Sequence, residues 1–161
     1  MLINMRPFFD AVEKNDLTRV KQLLNEGANI DKTDEFGYSS LHLASYKGLN
    51  EMARLLIDSD INVDIKDKNG QTALHYVALN NQFDLAELLL EKGANLTEED
   101  VYGNQPLWTA VFNDKGRNDR IDIIKLFLKY GADINHKNKV DKSPADIIRI
   151  GGYTNLMGIV S

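Results

Sequence analysis

The chain repeats itself. Gly37, Gly70 and Gly103 follow one another at intervals of 33 residues, and each opens the same kind of phrase: Gly37-Tyr38-Ser39-Ser40-Leu41-His42, Gly70-Gln71-Thr72-Ala73-Leu74-His75 and Gly103-Asn104-Gln105-Pro106-Leu107-Trp108. A fixed period of this length marks a stack of small units, none of which can bury its apolar face alone. One step back from Gly37 reaches Asn4, and a step of 38 beyond Gly103 reaches Asp141. The 161 residues therefore hold five units, about 1–33, 34–66, 67–99, 100–137 and 138–161, with the first and last as caps.

A second phrase closes the units: Leu23-Leu24-Asn25-Glu26-Gly27-Ala28, Leu88-Leu89-Leu90-Glu91-Lys92-Gly93-Ala94 and Leu126-Phe127-Leu128-Lys129-Tyr130-Gly131-Ala132. In the fourth unit it comes five residues late, and alignment on either side confines the extra residues to 113–118. That stretch reads as a polar surface loop between two helices.

Each unit reads as a turn and two short helices. Asp34, Asp67 and Asp100 stand three residues before their glycines, where an Asx side chain can bond its own backbone and start a turn. Ser39, Thr72, Gln105 and Ser143 then match helix caps, with Pro106 and Pro144 at the first helical position behind two of them. Met52, Ala53, Leu55 and Leu56, then Leu85, Ala86, Leu88 and Leu89, lay an apolar stripe along the second helices. Gly27, Gly93 and Gly131 stop these helices in the left-handed conformation. Asp60 takes that place in the second unit, and the register predicts a positive φ there.

A unit written Asp-x-x-Gly-x-Thr-Pro-Leu-His and ending Leu-Leu-x-x-x-Gly-Ala resembles the ankyrin repeat, and the resemblance covers essentially the whole chain. It implies an all-α repeat solenoid of stacked helix-turn-helix units, with projecting β-turn fingers and first helices lining a concave face. Departures lie in the caps, where Phe8 and Phe9 replace Leu-His and Asp146 replaces His, and in unit four, where Trp108 replaces His. Free-standing ankyrin proteins with an inter-helix insertion in a late unit also resemble bacterial immunity proteins, which neutralise toxins delivered by neighbouring cells.

Composition narrows the chemistry. There is no cysteine, so disulfides, thiolate zinc sites, iron–sulfur clusters and thiol catalysis are excluded. His42 and His75 recur at the period's own position and read as structural; His136, in Asn135-His136-Lys137-Asn138, reads as a solvated surface residue. Asp67-Lys68-Asn69-Gly70 lacks the further acids a calcium loop needs, with Ile65 and Tyr76 in their places. Asn95-Leu96-Thr97 is a glycosylation sequon by chance, and no phosphate loop is present. No cofactor or metal is expected. The least favoured alternative is an enzyme with a site in the insertion, from Asp114 to Asn118 with Asp119 and Asp122.

Binding residues are expected where the repeat leaves positions free: the two residues before each anchor glycine, the one after it, and a pair at the end of each first helix. These are Glu35, Phe36, Tyr38, Tyr46 and Lys47; Lys68, Asn69, Gln71, Leu79 and Asn80; Val101, Tyr102, Asn104, Phe112 and Asn113. Five of the fifteen are aromatic, against 8% of the chain. Exposed aromatics at such positions serve as anchors for a partner protein, unless Phe36, Tyr38 and Tyr102 merely pack finger against finger. Residues 1–100 carry a net charge of −8 and residues 101–161 one of +3, together the −5 of the chain. The expected partner is thus another protein, a basic one, such as a toxin or an enzyme; a regulatory adaptor role is the alternative. Nucleic acid is not expected at pI 5.2, nor a membrane, since no apolar stretch approaches the length of about 20 residues that spans one. With no secretory signal in Met1–Pro7, a cytoplasmic, monomeric protein is expected.

Overall fold

A computed structural model describes residues 6–160. The anchor position of the first unit, Asn4, lies outside them. The described residues form ten helices: α1 (Arg6–Glu13), α2 (Leu17–Asn25), α3 (Ser40–Lys47), α4 (Asn50–Asp58), α5 (Ala73–Leu79), α6 (Phe83–Glu91), α7 (Pro106–Asp114), α8 (Ile121–Lys129), α9 (Pro144–Gly151) and α10 (Thr154–Met157). First helices stack in the order α1, α3, α5, α7, α9, while α4, α6 and α8 form a second row. Between the rows runs one continuous apolar cluster, from Phe8 in α1 to Leu156 in α10. The all-α repeat solenoid expected from the sequence is what forms.

The helix starts show why these segments fold as they do. In α3, Ser39 Oγ accepts from the His42 amide at 3.2 Å, and Ser39 N–H donates to His42 Nδ1 at 3.0 Å. In α9, Ser143 and Asp146 repeat the exchange. Each pair satisfies two amides that the first turn leaves orphaned. Pro106 and Pro144 occupy the first turn, as their spacing predicts. Gln105 does not cap α7. Its side chain reaches back to the Thr97 carbonyl at 3.3 Å instead, and Trp108, lacking an acceptor nitrogen, cannot return the bond that a histidine gives.

Helix ends follow the register. Asp60 has φ +61°, beside Gly27 at +86°, Gly93 at +85° and Gly131 at +92°. Gly152, at φ +62°, ends α9 before the turn into α10.

The insertion departs from a simple polar loop. Helix α7 runs through Asp114, and the link to α8 is 115–120. Asp114 is fully buried. Its Oδ1 accepts from the Arg120 amide at 3.0 Å, and its Oδ2 lies 3.3 Å from the Asn118 amide. The loop then clips to unit three, with Arg120 Nη1 donating to the Ala78 carbonyl at 2.7 Å and Asn81 Nδ2 to the Asp119 carbonyl at 2.7 Å. A count of extra residues locates a loop; it does not reveal that one carboxylate turns inward to organise it.

Candidate protein-binding surface

The fingers are built by one device used four times. Asp34 Oδ1 accepts from the amides of Phe36 and Tyr38, Asp67 Oδ1 from those of Asn69 and Gln71, and Asp100 Oδ1 from those of Tyr102 and Asn104. Asn138 does the same for Val140 and Lys142 in the last unit. Backbone bonds then tie finger to finger: Lys68 N–H to Phe36 O at 3.0 Å, Val101 N–H to Asn69 O at 2.8 Å, and Lys139 N–H to Tyr102 O at 2.9 Å. With the tips' backbone groups so occupied, side chains at the tips project freely. Phe36 is 56% exposed and Tyr102 68%.

Joining the fingers to the first helices are the histidines. Since His42 Nδ1 accepts from Ser39 N–H, its Nε2 carries the proton and donates to Gln71 O at 3.0 Å; His75 makes the equivalent bond to Asn104 O at 3.0 Å. Burial lowers both imidazole pKa values from the ordinary histidine range. Each ring is a neutral strut between units. His136 is a strut too, not a solvated residue: its Nε2 lies 3.2 Å from Gly103 O and 3.1 Å from a Glu99 carboxylate oxygen. The period does not flag it, because no other unit carries a histidine there.

Tyr38 divides its role. Tyr76, buried in α5, donates its hydroxyl to Asp67 Oδ2 at 2.7 Å, and its oxygen sits 2.8 Å from the Tyr38 hydroxyl, whose proton it accepts. Burial is the largest cause that drives the Tyr76 pKa far up, so the phenol stays neutral. Tyr38 also meets the rings of His42 and Tyr76 at 5.8 and 5.9 Å. It is half-buried and packs between units, as well as lining a cavity.

That cavity, about 400 Å³, lies between the finger and first helix of unit two and α1, lined by Phe9, Asp34, Phe36, Tyr38, Leu43 and Tyr46. Tyr46, 60% exposed, stands with its ring edge-on to that of Tyr76. Further along, Trp108 stacks on the exposed Phe112 at 4.6 Å between ring centres. The position denied a histidine therefore becomes part of a second aromatic patch.

The polar candidates differ in freedom. Glu35 and Asn69 are exposed. Lys47 is exposed but pairs with Glu13 at 2.9 Å, which holds that carboxyl below its usual range. Asn80 Nδ2 donates to Tyr46 O at 3.0 Å, and Asn113 Nδ2 to Thr109 O at 2.8 Å. Gln71 is half-buried and lends its carbonyl to His42. Asn104 is buried, bonded through its side chain to Asp100 and Asn138. Three residues absent from the fifteen belong to the surface: Phe9, which lines the cavity, and Val140 and Ile150, both exposed. The last two stand at the equivalents of Tyr102 and Phe112 one unit on, a step of 38 residues that would have found them.

The insertion's carboxylates are engaged in structure: Asp114 in the loop's amides, and Asp119 in ion pairs to Arg117 at 3.3 Å and Arg120 at 3.7 Å. Asp122 lies apart, in a groove with Phe83 and Lys125. Among the described residues, no helix is long and apolar enough to cross a membrane.

Turn, helix pair and unit-to-unit struts recur as one module along the chain. The family model described as ankyrin repeats in three copies matches residues 8–100, and that of the single ankyrin repeat matches residues 102–139. The chain belongs to the ankyrin repeat family, whose domains are protein–protein interaction modules. No curated protein matches it as a relative.

Proposed function

We propose that this chain is a non-catalytic inhibitor that binds and neutralises a partner protein, in the manner of a bacterial immunity protein against a basic toxin. The observation that carries the reading is the row of exposed aromatics, Phe36, Tyr46, Tyr102 and Phe112, on helix ends and on fingers tied to one another by backbone hydrogen bonds. Rigid aromatic side chains lose little entropy on binding and supply most of the energy in protein interfaces. The net charge of −8 in residues 1–100 draws a basic partner and speeds its encounter. A basic nuclease blocked by such a surface loses access to phosphates. On its own the chain is a monomer, and it acts in the cytoplasm.

Affinity capture from the native cell tests this. A basic toxin whose activity falls on binding is the expected result; an acidic partner, or one whose activity is unchanged, contradicts the inhibitor reading.

A further inference from the structure

The inserted loop of unit four touches the units on both sides of it. In unit three the turn between the helices reaches back one unit, with Asn80 Nδ2 donating to Tyr46 O at 3.0 Å and Gln82 Nε2 to Ser45 O at 2.8 Å. The insertion repeats that reach through Arg120, which donates to Ala78 O, and Asn81 of unit three answers it by donating to Asp119 O. It also reaches forward. Asn155 Nδ2 donates to Asn118 Oδ1 at 3.2 Å and lies 3.5 Å from Asp114 Oδ2. The ring of Tyr153, in the turn between α9 and α10, fills the space that a Cβ would take on Gly116 and on Gly151. That ring is therefore held between the insertion and the end of α9.

The fifth unit needs such a hold. Helices α4, α6 and α8 have nine residues each and bury four, five and four of them, whereas α10 has four residues and buries Leu156. A unit at the end of an array has one neighbour to pack on, and α10 brings little apolar surface to that contact. We propose that the insertion is a strap that closes the fifth unit onto the array: it seats Tyr153, bonds Asn155, and is itself anchored on unit three. The shape of the loop serves this. Asp114, fully buried, folds it by accepting from the Arg120 and Asn118 amides, so the residues that face unit three and those that face unit five leave one pinned coil. Lys115 sits at φ +51°, a left-handed conformation that a long side chain rarely adopts and that a merely solvated loop would relax.

With the strap in place, units three to five open as one block. Without it, α9 and α10 are the elements with the least to hold them, and they open first while α3–α6 keep their packing, because local opening starts where buried contacts are fewest.

Amide hydrogen exchange of the full chain, read segment by segment by mass spectrometry, tests the proposal in three variants. Deleting Asp114–Asn118 leaves Asn113-Asp119-Arg120 where unit three has Asn80-Asn81-Gln82, and so returns unit four to the period of 33. Asn118→Gly removes the acceptor for Asn155 while suiting the local φ of +64°. Asn155→Ala removes the donor. In the deletion variant the amides of α9 and α10 are expected to exchange at least about tenfold faster, with those of α3–α6 at their wild-type rates. Each point variant should speed exchange in α10 by about two- to tenfold, and the two combined should be no faster than the quicker of them, since both break the same bond. Wild-type exchange of α9 and α10 in the deletion variant, or an equal acceleration in α3–α6, overturns the strap. If the deletion variant does not fold, the point variants decide: wild-type exchange of α10 in both, or fully additive effects, overturns it.

Discussion

Gly37, Gly70 and Gly103 are the residues on which the finger geometry turns. All three have positive φ, and a Cβ on Gly70 would stand 3.0 Å from the carbonyl oxygen of Glu99 in the next finger. Gly70→Ala therefore combines a left-handed backbone with a backbone clash and should cost about 1–3 kcal/mol, read as a fall in chemical-denaturation midpoint. Asp60 is the opposite case. It sits at φ +61° where glycine is at ease, and Asp60→Gly should raise the melting temperature slightly; a fall would contradict the register. Asp114 is a third case, a fully buried carboxylate whose bonds go to the insertion's amides. Asp114→Ala leaves those amides unpaired and should cost about 2 kcal/mol by the same measurement.

At the scale of elements, the histidine struts make stability depend on pH. His42 and His75 are held neutral by burial, with folded pKa values below those of the unfolded chain. The unfolded state then binds more protons, so stability falls as pH drops through the ordinary histidine range of about 6.5 and below. The melting temperature should decline between about pH 7.5 and about pH 5.5, and the double variant His42→Gln/His75→Gln should flatten that slope. A flat wild-type profile would contradict the struts. These elements were legible in the sequence because each is tied to the period: turn aspartates, cap residues, stripe and closing glycine all recur. What did not recur was not legible. Trp108 stacking on Phe112, Tyr76 bridging Tyr38 to Asp67, His136 against Gly103 and the inward turn of Asp114 each depend on particular side-chain contacts that the period does not disclose. Among the surface candidates the same rule holds. Phe36, Tyr46, Tyr102 and Phe112 are exposed as their positions predict, whereas Asn104 is buried because Asn138, a full unit away in the next finger, claims its side chain.

Taken whole, the molecule is a row of units whose apolar seam is continuous from Phe8 to Leu156 and whose outer face repeats as regularly as its core. Its net −5 combines an acidic −8 over residues 1–100 with a basic +3 beyond, so association with a basic partner should slow as salt rises, with most of the change in the on-rate. In the proposed function, exposed aromatics on a fold-neutral surface hold a partner protein. Its most direct test pairs two readouts on Phe36→Ala/Tyr46→Ala/Tyr102→Ala: quantitative capture of the native partner, and the melting temperature. Capture reduced at least about tenfold at an unchanged melting temperature is the predicted result; undiminished capture, or a large loss of stability, would contradict it.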